Sequence, residues 1–432
     1  HRRQRQMCIR DRCKTCYVTS GGSISETCYS MSERLGAAAA KASEKGEPEA
    51  LGIYVHWPFC LSICPYCDFN VHVFKNVDQD SWLRAYTAEI QHLSNLTDYT
   101  SPVTSVFFGG GTPSLVRPDI LEGVLNEINS AWGLSPNAEI TLEANPVGLD
   151  RSLLEDLKKA GITRFSMGVQ SLDDAALSFL GRTHSSAEAI AAFALARDVF
   201  DYASLDMIYA RPEQTVDAWK AELTTALALA PDHLSAYQLT IEQGTNFGKL
   251  YQAGRLFLPE EDVQIGLYDV TQSLCHDVGL VAYEVSNHAR PGHESRHNIQ
   301  CWQGAPYIGI GPGAHGRVDI EGHRHASIGI RQPAAWLAST SDMSVGHGLA
   351  TLERLSKEEV FEERLMFGLR LVEGVSLSGI SKNAEVPDGA LDLAKINFLV
   401  SEGLLEDRQD RLVATRSGRL VLDRLVAELL IA

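Results

Sequence analysis

Three cysteines fall within one short stretch, Cys60-Leu61-Ser62-Ile63-Cys64-Pro65-Tyr66-Cys67. The pattern is Cys-x-x-x-Cys-x-x-Cys, with an aromatic residue before the last cysteine. Thiolates this close together can ligate three irons of one four-iron, four-sulfur (4Fe-4S) cubane. The remaining iron then lacks a protein sulfur and can accept a small chelating molecule. Structural zinc is the alternative. It takes four ligands, usually as two Cys-x-x-Cys or Cys/His pairs. No second pair follows, and only His56 or His72 could complete such a site.

The chemistry of the remaining iron suggests what would bind it. The amino and carboxylate groups of S-adenosylmethionine (SAM) can chelate an open iron corner. One electron from the cluster then breaks the S–C5′ bond, releasing methionine and a 5′-deoxyadenosyl radical. The segments that must position such a site begin at Leu51, where a strand-then-helix rhythm starts. Strand-like runs occur at Ile53–Val55, Val103–Phe108, Glu139–Glu143, Arg164–Val169, Ser204–Ile208 and His233–Leu239. Helical patterns lie between them. One is Trp82–Leu96, with Leu83, Tyr86, Ile90 and Leu93 on its apolar face; others are Leu153–Lys159, Ala187–Phe200 and Val216–Leu229. Repeated β-α units imply a parallel sheet with helices outside. The pattern fits either a doubly wound sheet or a partial TIM-like barrel.

Strand ends are where an α/β fold of either kind places its function. Val103–Phe108 runs into Gly109-Gly110-Gly111-Thr112-Pro113, whose bare backbone can approach a ligand closely. Glu143 ends the third run and can accept hydrogen bonds from ribose hydroxyls. Gln170 follows the fourth, and Arg182 comes one helix later, suited to a carboxylate. Asp206 lies in Leu205-Asp206-Met207-Ile208-Tyr209.

The bulk properties bound the class. The chain has 432 residues, 44% hydrophobic and 22% charged, with a net charge of −17. That charge argues against a general nucleic-acid binder, which needs a basic face. No apolar run reaches the roughly 18 residues of a membrane span. The chain is therefore not expected to be an integral membrane protein, and transient membrane association remains open. The nine cysteines are unevenly placed, unlike a secreted disulfide scaffold. A tight triplet in an acidic chain points to metal binding in a reducing compartment, the cytoplasm. The start, His1-Arg2-Arg3-Gln4-Arg5-Gln6-Met7, is Arg-rich without a signal peptide's apolar core. Residues 1–50 read as a non-native or disordered leader with Met31 as the native start; a mitochondrial-type presequence is the alternative. Cys13-Lys14-Thr15-Cys16 has redox spacing, but nothing around it builds a site.

The cysteine triplet and the segments after it resemble the radical SAM superfamily, within it the oxygen-independent coproporphyrinogen III oxidase-like group, over about residues 51–430. The resemblance implies a partial TIM-like (β/α)6 barrel core, read at 51–250. The strand-helix rhythm changes after about residue 250, so 251–350 reads as a barrel extension, and helical segments followed by a short hairpin make 351–432 a mainly α, winged-helix-like domain. The resemblance also implies that Tyr54, Tyr66, Gly110, Gly111, Thr112, Glu143, Gln170, Arg182 and Asp206 contact SAM, and that Cys60, Cys64 and Cys67 hold the cluster. Whether a second SAM binds stays open.

Two functions survive. One is oxidative decarboxylation of coproporphyrinogen III in haem synthesis. The other, closer to the HemW family, is a haem chaperone that delivers haem to a respiratory-chain client. The oxidases carry a further cysteine two residues after the triplet, where this chain has Phe69. The chaperone group has a His-Asn-x-x-Tyr-Trp motif, matched by His297-Asn298-Ile299-Gln300-Cys301-Trp302 except that Cys301 replaces Tyr. Gly311-Pro312-Gly313-Ala314-His315-Gly316 also follows that group's pattern. Haem needs an axial ligand such as His or Cys, and apolar walls. His297, Asn298, Cys301 and Trp302 are the candidate haem residues, with the ligand open between His297, Cys301 and His315. Without the resemblance, His297 and Asn298 would read as a turn cap and Trp302 as core. A radical SAM enzyme for another substrate is a third reading.

Overall fold

The computed structural model describes residues 50–377, 380, 392–409 and 411–430. The expected leader, with Met31 and the Cys13/Cys16 pair, lies outside the described residues save for Ala50. The chain divides into two compact units. One comprises residues 49–300 and 305–354; the described part of the other comprises 301–304 and the chain from 355 onward.

The first unit is built on a 12-stranded sheet. Its strands are β1 (Leu51–Trp57), β2 (Val103–Gly110), β3 (Leu134–Ala144), β4 (Arg164–Gln170), β5 (Tyr202–Tyr209), β6 (His233–Gln238), β7 (Val281–Ala282), β8 (Asn287–Ala289), β9 (Tyr307–Ile310), β10 (His315–Ile320), β11 (His323–Gly329) and β12 (Leu349–Arg354). The order across the sheet is β12-β11-β10-β9-β1-β2-β3-β4-β5-β6-β8-β7. Neighbours from β9 through β6 are parallel, and the flanking strands are antiparallel.

Strand residues alternate faces, and here the two faces differ in chemistry. Ile53, Val55 and Trp57, Val106 and Phe108, Leu142, Phe165, Met167 and Leu205 join one large core. That core takes in the apolar stripes of α1 (Gln79–Leu96), α2 (Pro118–Trp132), α3 (Arg151–Lys159), α5 (Ser186–Val199) and α6 (Val216–Ala228). Between α3 and α5 lies the short α4 (Asp174–Phe179). Each fully buried aliphatic or aromatic side chain adds about 1.5–3 kcal/mol. The alternate residues carry Tyr54, His56, Ser105, Thr141, Glu143, Arg164, Ser166 and Asp206. This second, polar face is the one available for chemistry.

All the expected strands and named helices are present, with shifted ends. α1 starts at Gln79, where the Asp78 side chain accepts from Ser81 N. Its deeply buried face is Trp82, Tyr86, Glu89, Ile90 and Leu93; Leu83 is only partly buried. α5 begins with a capping box of Ser185 and Glu188. β9 is a departure: a short buried run inside a Gly- and His-rich stretch forms a seventh parallel strand beside β1. Segment 251–350 supplies β7–β12 to the same sheet. Before them come α7 (Asn246–Gln252) and α8 (Glu261–Asp277), and between β8 and β9 lies α9 (Arg296–Trp302).

The second unit holds a helix, Lys357–Gly368, whose Ser356 and Glu359 form a capping box. Three short antiparallel strands follow, Val375–Ser376, Leu405–Arg408 and Arg411–Ala414, with the last in the middle. Helices Leu393–Ser401, Arg416–Leu420 and Leu422–Leu430 complete it. Helices around a small hairpin sheet match the winged-helix-like expectation.

Candidate functional site

β1 leads through Pro58 into a two-residue strand, Phe59–Cys60, which pairs in parallel with His72–Val73. The cysteine loop between them is closed by backbone bonds: His72 N to Pro58 O (2.7 Å), Phe74 N to Cys60 O (2.8 Å) and Cys67 N to Cys64 O (3.0 Å). Cys60 is buried and Cys64 and Cys67 are partly exposed; none of the three is in a disulfide. Burial, and then the facing Cys67 and Cys64, push the Cys60 thiol up to about 12. A buried thiol whose ionisation is opposed by burial and by two neighbouring cysteines is suited to a positively charged metal centre, which favours the thiolate form.

Among the described residues, no group of three or more His, Cys, Asp or Glu side chains converges on one metal ion. His56 is also committed elsewhere. Its Nε2 donates to Asn70 O (2.9 Å), which leaves Nδ1 to accept from Tyr54 OH (2.9 Å). Burial lowers its pKa to about 4, so it stays neutral.

The glycine turn after β2 packs against the cysteine segment. Gly111 N donates to Trp57 O (2.7 Å) and Thr112 N to Phe59 O (2.8 Å). A Cβ on Gly111 would lie 2.4 Å from Phe59 O, so only glycine allows this approach. Gly110, at φ +111°, donates its N–H to Glu143 Oε2 (3.2 Å). Gln170 closes β4 with φ +73°, next to a register shift against β5. This is a strained backbone for a residue with a side chain.

Arg182 reaches back to both segments. Its Nη2 donates to Gly168 O (2.6 Å) and its Nη1 to Cys64 Sγ (3.7 Å). A side-chain hydrogen bond also links it to Tyr66, which is buried in a small cluster with Phe247 of α7. Arg182 Nε and Thr141 Oγ1 are buried polar atoms with no hydrogen-bond partner among the described residues, as expected of groups awaiting a polar ligand. Asp206 departs from the strand-end expectation. It lies inside β5, buried, where Ser166 Oγ donates to it at 3.0 and 3.3 Å and Ser204 Oγ at 3.3 Å. The structure thus brings Cys64, Tyr66 and Arg182 together, joins Gly110 to Glu143, and sets Asp206 deeper in the polar face.

His297, Asn298, Cys301 and Trp302 lie on one short helix, α9. His297 is buried and enters the sheet at the N-terminal ends of the strands. Its ring stacks on Phe107 (centroids 5.2 Å apart) and on Tyr54 (6.4 Å). Ser105 Oγ donates to Gln300 Oε1 (2.6 Å), so it accepts from His297 Nδ1 (3.2 Å). Asn298 Nδ2 donates to Tyr283 OH (3.4 Å). Cys301 is partly exposed. Trp302, itself part of the second unit, packs within that unit with Phe367 and Leu371, under the guanidinium of Arg370 at 4.8 Å. His315 opens β10, partly buried.

Residues 54–225 match the family description "Radical SAM superfamily", and residues 355–421 match "HemN C-terminal domain". The chain is 38% identical over 386 residues to mouse "Radical S-adenosyl methionine domain-containing protein 1, mitochondrial", covering 88% of this chain and 87% of that one. It is 34% identical over 389 residues to "Heme chaperone HemW" of Mycobacterium tuberculosis, covering 89% and 95%. This chain belongs to the HemW family of radical SAM proteins.

Membership carries a fold, and the fold implies a 4Fe-4S cluster and SAM. The fold is that of the Escherichia coli coproporphyrinogen III oxidase HemN, a radical SAM enzyme, with a TM-score of 0.73 at 21% identity, covering 91% of this chain and 92% of that one. No helix among the described residues is long and apolar enough to cross a membrane. Several residues that shape this HemW-family site carried no signal in the sequence. Asn70 and Phe247 stand outside any spacing rule, and their parts follow from which loops meet; His56 reads from the sequence only as a candidate zinc ligand. Ser166 and Ser204 could have been found, since alternation along β4 and β5 puts them on the polar face with Asp206.

Proposed function

We propose that this chain is a haem chaperone: it binds a 4Fe-4S cluster, SAM and haem, and passes haem to a haem-requiring respiratory protein. The observation that carries this is the full-length likeness to proteins named heme chaperone HemW, spanning both units. The likeness to the oxidase is at the level of fold, and Phe69 stands where the oxidases carry their further cysteine. Cys60, Cys64 and Cys67 would hold the cluster, whose chemistry when bound is one-electron reduction of SAM at an iron free of protein sulfur. Gly110, Gly111 and Thr112 would offer backbone to SAM's methionyl end, and Glu143 would accept from its ribose hydroxyls. Arg182, already beside Cys64, would pair with its carboxylate; Tyr54, Tyr66, Gln170 and Asp206 would complete the walls. Cysteine thiolates serving a cluster suit a reducing compartment such as the cytoplasm.

Haem would be bound at helix α9. Cys301 is its partly exposed thiol, whereas His297 is turned into the sheet, so the reading favours Cys301 as axial donor. Adding haem to anaerobically reconstituted protein, to Cys301→Ser and to His297→Ala tests this. A Soret band is expected in the wild type, shifted or lost in Cys301→Ser. Its absence from all three would remove the haem assignment. Consumption of coproporphyrinogen III with SAM and a reductant would restore the oxidase reading.

A further inference from the structure

The motif Gly311-Pro312-Gly313 has no part in the function proposed above, yet it lies against the return leg of the cysteine loop. Asn70, three residues beyond Cys67, donates its amide nitrogen to Pro312 O (2.9 Å) and to Arg331 O (2.7 Å). Both acceptors are more than 240 positions away in the chain, and they use both protons of that amide. Asn70's own carbonyl accepts from His56 Nε2 (2.9 Å). The loop is therefore gripped from β1 on one side and from the turn after β9 on the other.

The turn is shaped to receive it. Gly313 sits at φ +74°, and a Cβ there would lie 2.7 Å from Asn70 Nδ2. Gly311 donates its N–H to Glu89 Oε2 (2.7 Å), and a Cβ on it would lie 2.6 Å from His56 O. Glu89, buried on α1, also accepts from Gly348 N (3.1 Å) and from Trp336 Nε1 (3.2 Å). Tyr86, one turn earlier, donates to His56 O (2.8 Å). A carboxylate under the turn and two glycines facing the loop leave the position of Asn70 little freedom.

We infer that the Gly311–Gly313 turn is the seat of the cluster-binding loop, with Asn70 as its anchor and Glu89 as the support beneath. Asn70 is thus a positioning residue. It holds the Cys67 end of the loop at the spacing set by Cys60, whose own strand is paired to His72–Val73. This rests on the reading that the loop binds the cluster.

The test compares wild type, Asn70→Asp, Asn70→Ser and, as a control on the exposed part of the loop, Ser62→Ala. Asn70→Asp keeps the shape but sets a carboxylate against two carbonyls. Asn70→Ser removes most of the side chain and is the milder change should the first variant not fold. Each protein is reconstituted anaerobically with iron and sulfide. Iron loss to a chelator, the spin-resonance spectrum of the reduced protein and the circular dichroism of the apoprotein are then recorded. Both Asn70 variants should lose iron about tenfold faster than wild type, with an altered or broadened reduced-state signal and unchanged circular dichroism. Ser62→Ala should behave as wild type. Wild-type rates and spectra in a folded Asn70 variant would overturn the anchor. Failure of the wild type itself to take up a cluster would instead overturn the functional reading.

Discussion

At the C-terminal ends of β1–β4, side chains mostly meet backbone: Glu143 accepts from Gly110 N, Arg182 donates to Gly168 O, and Asn70 donates to Pro312 O. At the N-terminal ends of the same sheet, side chains meet side chains. Ser105 joins His297 and Gln300, Arg164 approaches Glu139 (3.4 Å), and Ser204, His233 and Tyr283 form a chain at 2.7 and 2.8 Å. The second network satisfies many of its polar groups within the protein, so its main contribution is to hold the sheet. The first fixes loop shape through backbone and keeps thiols, a carboxylate and a guanidinium at the rim, so under the proposed function its contribution would be to binding. One polar face would then serve as scaffold at one end and as site at the other.

Changes at the two ends should therefore fail differently. Cys60→Ser should have the largest effect, lowering iron affinity at least about 100-fold in anaerobic reconstitution while the apoprotein unfolds at the wild-type denaturant midpoint. Wild-type iron content would break the contrast. His297→Ala should do the reverse. Losing a buried ring and its bond to Ser105 should cost about 3 kcal/mol in denaturant unfolding, with iron per folded chain unchanged. Normal stability with lost iron would show that the N-terminal end belongs to the site. Glu143→Gln, measured by SAM titration of the reconstituted protein, should weaken SAM about tenfold and leave iron content and stability near wild type.

The smallest effect concerns pH. Burial raises Glu89 to about 7 against its three donors, so the folded state holds its proton more tightly than the unfolded chain. Its contribution to stability is full at low pH and is lost as pH rises from the ordinary carboxylate range through 7. His56, lowered to about 4 by burial, acts oppositely: its contribution is full above the ordinary histidine value and is lost as pH falls toward 4. The two slopes oppose each other in the wild type. Denaturant stability measured from pH 4.5 to 6.5 should rise with pH more steeply in Glu89→Gln than in wild type; equal slopes would remove Glu89 from the account.

Much of this was legible in the sequence. The cysteine spacing is local, so it pointed to the cluster loop directly. Alternation along β2–β5 could have shown which residues share a face, and Glu143 and Gln170 do stand at strand ends. Asp206 was grouped with the strand-end residues although its run, Ser204–Ile208, already extends past it, and in the structure it lies inside β5. The helix Pro118–Trp132 was not singled out although proline at its first position marks its start. Glu89 was passed over because a carboxylate on an apolar stripe looks like a surface residue until its three donors are seen.

By itself, the sequence determined what repeats over short distances: the β-α rhythm, the apolar faces of the helices and the thiol triplet. Spacing and periodicity are set by the covalent chain. Only the tertiary structure decided that β9 pairs with β1, that the Gly-Pro-Gly turn meets Asn70 and that His297 enters the sheet beneath Tyr54. These contacts join segments far apart in the chain, and local side-chain pattern specifies an element's face without specifying its neighbour.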